Sequence, residues 1–263
     1  MTGDRGFAVV FDVDGTLVDS ERHGHRVAFN DAFEEFDLPY RWDEEQYGRL
    51  LRVTGGQSRL RHFLEEQGEP PERADDLAAR LHAHKTERFR ALIDEGAIPA
   101  RPGVERLLAE LDADGTTVAI TTTGSREWVE PLLDLLFGAG RFAAIVAGDD
   151  VADRKPDPAA YLKLLDRLGL PPEVVVAVED SAEGVQAARA AQLACLAVVN
   201  DYTRDQDLSA AQLVVDGFGD PGEASVLHGP ADLLDGGAVR PATLRGLLEV
   251  SGPGKSPTSA AGR

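Results

Sequence analysis

Five short apolar runs, each set apart by a stretch with helical spacing, limit what this chain can fold into. They are residues 7–11 (FAVVF), 117–121 (TVAIT), 144–147 (AIVA), 174–178 (VVVAV) and 195–199 (CLAVV). Each is too short for a helix, most are β-branched, and polar residues or Gly close them. That is the pattern of strands buried on both faces. The segments 104–111, 128–136, 158–168 and 183–191 repeat apolar residues at helical intervals. Strand–helix alternation predicts an α/β fold, a Rossmann-like parallel sheet with helices on both faces.

Residues 18–98 break the alternation. They hold no convincing buried strand and are rich in Glu, Arg, Ala and Leu with helical periodicity. A helical module is therefore expected directly after the first strand. The two prolines of Pro99-Ala100-Arg101-Pro102-Gly103 mark the return. The expected layout is a core of residues 1–17 and 99–250, a helical insert of residues 18–98, and a disordered Gly, Pro and Ser-rich tail of residues 251–263. The 263 residues give ample material for one large domain or two modest ones.

The formal charge of −19 argues against sequence-independent nucleic-acid binding, which needs the opposite sign. It also means that an anionic ligand would need a local positive site. A single cysteine, Cys195, excludes a disulfide framework or a Cys-based zinc site within one chain, and its apolar run makes it a core residue. The start of the chain lacks the basic, then apolar, character of a signal peptide, and no run approaches the roughly 20 residues of a membrane helix. A cytoplasmic protein without membrane partners is expected, and nothing calls for more than a monomer.

The first run leads into Asp12-Val13-Asp14-Gly15-Thr16-Leu17. Strand alternation puts both carboxylates on one side, at the end where open α/β sheets bind ligands. Two such carboxylates repel unless a cation intervenes, and Mg²⁺ is typically held by one or two carboxylates plus a substrate phosphate. A calcium loop starting at Asp12 would need Gly and Glu at its sixth and twelfth positions, where Leu17 and His23 stand. Three more signals follow. Thr121-Thr122-Thr123-Gly124-Ser125 offers hydroxyls and amides that suit either a phosphate oxygen or a helix N-cap. Lys155 precedes Pro156-Asp157-Pro158 and is either solvated or aimed by a stiff segment. Glu179 and Asp180 close the fourth run, as caps or as metal ligands.

Acid pair, hydroxyl, lysine and acid pair, in that order, resemble the motifs of the haloacid dehalogenase-like hydrolase superfamily over about residues 7–250. The resemblance implies that the insert is a small four-helix cap. It implies Asp12 as nucleophile, Asp14 as general acid and then base, Thr122 as a phosphoryl holder, and Lys155 as the group that neutralises charge and orients Asp12. It further implies Mg²⁺ held by Asp12, the Asp14 carbonyl, Glu179 and Asp180.

The insert narrows the resemblance. Residues 19–30, with Glu21 and His25, and residues 50–63, with Gly55, Gly56 and Arg59, look like the CbbY-type members, which hydrolyse xylulose-1,5-bisphosphate. Residues 96–104 and 201–208 do so too. One departure is Gln57, where that group usually carries lysine. The implied substrate is a phosphorylated sugar, with Glu21, His25, Gly55, Gly56, Arg59 and Thr123 as binding residues. Physically, Thr54-Gly55-Gly56 ahead of a helix frees amides for a phosphate, and Arg59 and Arg61 offer bidentate forks. Both arginines could equally be solvated helix residues, and His25 a surface histidine. His23 and His25 lack a third ligand for an H-x-H metal site. A β-phosphoglucomutase-like mutase shares these motifs, phosphoglycolate-type phosphatases are a further alternative, and a non-catalytic phosphosugar-binding protein would be expected to have lost one of the four motif residues.

Overall fold

The computed structural model describes residues 6–53, 55–219 and 223–250. Seven strands form one sheet: β1 (Ala8–Phe11), β2 (Thr117–Thr121), β3 (Ile145–Val146), β4 (Val175–Glu179), β5 (Ala194–Val198), β6 (Leu213–Val215) and β7 (Val226–His228). Their order is β3-β2-β1-β4-β5-β6-β7. All neighbours are parallel except β6 and β7. In register, Phe11 lies beside Ile120 of β2 and Val178 of β4. β1, β4 and β5 are buried along their whole length, which is why they read as unbroken apolar runs.

Some boundaries differ from those read in the sequence. Val174 closes a 3₁₀ turn that starts at Pro172, so β4 is shifted by one residue and Glu179 is its last member. β3 shrinks to two residues. β6 and β7 lie outside the five expected runs, and the tail expected to be disordered, residues 251–263, lies outside the described residues.

The chain divides into two compact units, Asp19–Pro99 and the remainder. The first of these is helical. A π-helical turn, Glu21–His25, runs into α1 (Arg26–Glu35), followed by α2 (Glu44–Leu50), α3 (Gly56–Glu66) and α4 (Pro71–Asp94). Asp43 caps α2 by accepting from the Gln46 amide at 2.7 Å, and Pro71 opens α4, where its missing N–H costs nothing. Trp42 is the hub of this unit's core, with ring centroids 4.9 Å from Phe29 and Phe33 and 5.2 Å from Phe63. The Asn30 amide clamps the Trp42 backbone at both N–H and C=O, at 2.8 and 2.9 Å.

In the sheet-containing unit, α5 (Val104–Ala113) and α9 (Pro241–Val250) pack on each other and on β2, β4 and β5. α6 (Arg126–Phe137) connects β2 to β3. α7 (Ala159–Leu168) and α8 (Ala182–Ala190) cover Val10, Ala119, Ala177 and Cys195. Cys195 is a core residue, as expected. Among the described residues no helix is long and apolar enough to cross a membrane.

Candidate active site

β1 and β4 are neighbours, but the chain leaves them in opposite directions, towards β2 and towards β5. A parallel sheet opens a crevice at the carboxyl ends of such a pair. Asp12 is tied there by its amide, which donates to the Val178 carbonyl at 3.0 Å. Asp12, Thr122, Lys155, Glu179 and Asp180 are all buried. Lys155 is not a solvated lysine. Its ammonium donates to Asp12 Oδ1 at 2.7 Å, Glu179 Oε1 at 2.6 Å and the Thr121 carbonyl at 3.1 Å. Three donors meet three acceptors, which fixes the head group.

The turn that carries Asp14 is equally determined. The Val13 carbonyl accepts from Leu17 at 2.9 Å and Val18 at 3.1 Å, while the Gly15 amide donates to Val18 O at 2.8 Å. Such a turn needs φ of +81° at Gly15, where a side chain is strained. A Cβ there would also lie 2.7 Å from the Asn200 amide and closer still to the Asp180 carboxylate. Asn200 Nδ2 donates to Asp180 Oδ2 at 2.7 Å and to Gly15 O at 3.2 Å. The Arg101 guanidinium donates to Gly15 O and, at 2.7 Å, to Val199 O. Asn200 carries no motif signal of its own and Arg101 stands only within the 96–104 resemblance, with no role implied there; tertiary packing brings both here.

Single ligand atoms of Asp12, Glu179 and Asp180 lie within 4.8 Å of one another. Burial raises the Asp12 pKa well above the usual carboxylate range; Lys155 opposes the rise, and Glu179 and Asp180 reinforce it. Burial and the Glu179 charge push Asp180 up to about 7, against the pull of Asn200 and Arg101. For Lys155, burial works against the charge, but Asp12 and Glu179 outweigh it and hold the ammonium protonated. Three buried carboxylates against one lysine leave an excess of negative charge. A hard divalent cation with oxygen ligands fits that donor set. The Asp14 carboxylate is not a member of the cluster.

Thr122 is buried, and its hydroxyl oxygen accepts from the Gly124 amide at 3.0 Å. The N-cap of α6 is Ser125, whose side chain makes no capping bond. The hydroxyl cluster therefore shapes the turn rather than capping the helix. Thr123 is exposed.

Within the helical unit, Glu21 accepts from the Tyr47 hydroxyl at 2.5 Å. His25 is not a free surface histidine. It stacks on Phe89 with centroids 4.0 Å apart, and its Nδ1 lies 2.8 Å from the Lys85 ammonium. Burial, then the Lys85 and Arg59 charges, press its pKa well below the usual value, so it is neutral and accepts from Lys85. Gly55, with φ of +89°, is the N-cap of α3 and Gly56 its first residue, while Thr54 lies outside the described residues. Arg59 is buried and donates to the Leu50 carbonyl at 3.0 Å and the Tyr47 hydroxyl at 3.5 Å. Arg61 is the solvated one, paired with Glu65 at 3.0 Å and Asp75 at 3.1 Å. Gln57 is exposed.

A family description, haloacid dehalogenase-like hydrolase, matches residues 8–192, a span that holds every one of the acid, hydroxyl and lysine motifs. The chain belongs to the haloacid dehalogenase-like hydrolases. It is an enzyme, a phosphatase of that family. It is 42% identical to Protein CbbY of Cereibacter sphaeroides over 218 residues, 82% of this chain and 94% of that one. It is 41% identical to a CBBY-like protein of Arabidopsis thaliana over 224 residues, 82% of this chain and 70% of the relative. A crystal structure of a mutant CbbY from Rhodobacter sphaeroides, in complex with xylulose-1,5-bisphosphate, superposes with a TM-score of 0.70 at 41% identity. That match covers 82% of this chain and 96% of the other. The haloacid dehalogenase-like core thus gathers Asp12, Thr122, Lys155, Glu179 and Asp180 at the carboxyl ends of its central strands, and adds Tyr161, Asn200 and Arg101 to them.

Proposed function

We propose that this phosphatase hydrolyses a phosphorylated sugar through a phosphoryl group carried transiently on Asp12. The observation that carries the reading is Asp12 Oδ1 held by a buried Lys155 at 2.7 Å, beside Glu179 and Asp180. A carboxylate needs no deprotonation before it attacks phosphorus. One Asp12 oxygen would form a bond to phosphorus while the bond from phosphorus to the sugar oxygen breaks. Asp14 would give that oxygen its proton. Asp14, now a carboxylate, would take a proton from water as the water attacks the aspartyl-phosphate. Inorganic phosphate leaves, and Asp12 and Asp14 return to their starting states. The Thr122 hydroxyl would hold an equatorial oxygen, where charge concentrates, while the Lys155 ammonium would orient Asp12 and offset that charge electrostatically. Asp12, the Asp14 carbonyl, Glu179 and Asp180 would hold Mg²⁺, which supplies further positive charge at those oxygens.

The substrate we propose is xylulose-1,5-bisphosphate. Its support is the likeness to CbbY, one form of which is solved with that sugar. A second support is charge. The Arg59 and Lys85 charges both act on His25 and His82 within the helical unit of a chain whose formal charge is −19, and the Gly55-Gly56 step adds amides at the start of α3. A second phosphate would find these groups as partners.

The test is phosphate release from a panel of sugar mono- and bisphosphates, with Mg²⁺ and with EDTA, together with rapid-quench trapping. Wild type should release phosphate with Mg²⁺ alone and yield a phosphorylated Asp12. Asp12→Asn should fold and be inactive. Phosphate trapped on another residue, or an active Asp12→Asn, would refute the covalent route.

A further inference from the structure

We infer that Tyr161 is a positioning residue that acts through Glu179 to hold Lys155 against Asp12. The inference rests on the reading of Asp12 and Lys155 as the reacting centre. Tyr161 is fully buried in the first turn of α7, six residues beyond Lys155. Its hydroxyl donates to Glu179 Oε1 at 2.5 Å, the same oxygen that accepts from Lys155 at 2.6 Å. The Lys155 ammonium also lies 5.4 Å from the Tyr161 ring centroid.

Among the described residues, the hydrogen-bond donors to Glu179 are Lys155 and Tyr161. Glu179 is completely buried, and its other oxygen, Oε2, faces Gly184 of α8 without a hydrogen-bond partner among the described residues. All of its hydrogen bonding falls on Oε1. Lys155 is therefore contested by two buried carboxylates, Asp12 and Glu179. An undersatisfied buried carboxylate draws the cation hydrogen-bonded to it, Lys155, towards itself. A second donor on Oε1, the neutral Tyr161 hydroxyl, meets part of that demand and leaves the ammonium shared with Asp12. Take the hydroxyl away and Lys155 moves towards Glu179, while the Asp12 carboxylate loses its orienting bond. Tyr161 touches neither substrate nor the reacting atoms in this account.

Tyr161→Phe keeps the ring and its packing and removes only the hydroxyl. Expected is a roughly ten- to hundred-fold fall in kcat, the worth of a hydrogen bond to a charged group, with KM for a sugar phosphate within about two-fold. In a Lys155→Ala background the same substitution should change kcat little, because the group it positions is gone. An equal fold-loss in both backgrounds would overturn the inference and assign Tyr161 a general packing role; unchanged kcat in Tyr161→Phe would overturn it outright. Should Lys155→Ala be too slow to measure, crystal structures of wild type and Tyr161→Phe decide. A lengthened Lys155–Asp12 contact supports the positioning role, and an unaltered one defeats it. Full activity in Lys155→Ala would instead sink the reading of the site itself, a separate outcome.

Discussion

Gly184→Ala sets two opposed effects against each other, and their sizes decide the sign. Gly184 lies in the first turn of α8, where alanine is the better helix former by about 1 kcal/mol. On propensity alone the variant should be more stable. A Cβ at this position would, however, lie 2.5 Å from Glu179 Oε1 and closer still to Oε2 and the carboxyl carbon, inside the 3.0 Å that real Cβ atoms keep. The carboxylate would have to withdraw by about one and a half ångströms to reach van der Waals distance. Withdrawal breaks its bonds to Lys155 and Tyr161. Overpacking a core costs about 1–3 kcal/mol, and losing one member of a buried ion pair about 3–5 kcal/mol. Even the lower figures cancel the helix gain, and partial loss of the ion pair carries the balance to a net cost of about 2 kcal/mol. For a chain of this size that is a fall in Tm of roughly 4–8 °C. Urea midpoints at equal m-value give the stability, and kcat on a sugar phosphate gives the site. Both should fall together, since the displaced carboxylate anchors the lysine that orients Asp12. A variant as stable as wild type with unchanged kcat would refute the reasoning, because Glu179 would then be free to move without disturbing Lys155.

Asp14→Ala should lose roughly a hundred- to ten-thousand-fold in turnover, with a smaller effect on phosphorylation by p-nitrophenyl phosphate, whose leaving group needs no proton. Equal loss on every leaving group would count against the acid role. For the metal-free enzyme, the Asp180 pKa is raised from 3.8 to about 7, so the folded state binds more protons than the unfolded chain between those values. In EDTA, wild type should therefore lose Tm relative to Asp180→Asn as pH rises from about 4 to 7, a comparison in which the opposing pull of His25 and His82 cancels, and recover on adding Mg²⁺, read by scanning fluorimetry; a difference that moves in favour of wild type through this window would contradict the buried acid cluster. Arg59→Ala should raise KM for a sugar bisphosphate roughly ten- to hundred-fold and for a monophosphate far less. It should also lower the unfolding midpoint, because the Leu50 carbonyl loses its donor. The same KM change for both substrates would show that Arg59 does not read a second phosphate.

The residues legible in the sequence are those whose position follows from local rules. Asp12 and Glu179 stand at the ends of apolar runs, and a parallel sheet brings such carboxyl ends together on one side. Lys155 lies in a turn closed by the Asp157 amide on the Arg154 carbonyl at 2.9 Å, and the prolines on either side of Asp157 mark that turn in the sequence. Tyr161, Asn200 and Arg101 escape this reading because their partners lie far along the chain; Arg101 and Gly15 are 86 residues apart. Gly184 looks like an ordinary glycine in a helix until Glu179 is seen against it. The opposite fates of Arg59 and Arg61 were in principle readable. Arg59 shares the α3 face of Leu60 and Phe63, all buried, whereas Arg61 points away. β6 and β7 were harder. Each has only three residues, and β7 is an edge strand with two exposed positions, so neither presents an apolar run of usable length.

Val18 pairs antiparallel with Ala100, and the Arg101 amide donates to Leu17 O at 2.9 Å. The chain therefore leaves and re-enters the sheet unit at one stem whose two legs are already fastened together. Seen from the sheet, Asp19–Pro99 is the tip of a hairpin, and the entropy of closing a hairpin grows only with the logarithm of its length. The bonds that shape the Asp14 turn come from Val18, Asn200 and Arg101, all on the sheet side of the stem. Added length in the insert therefore costs little chain entropy and leaves the fastened stem as it is. The turn beside Asp12 and the helical insert are thus free to vary on separate clocks.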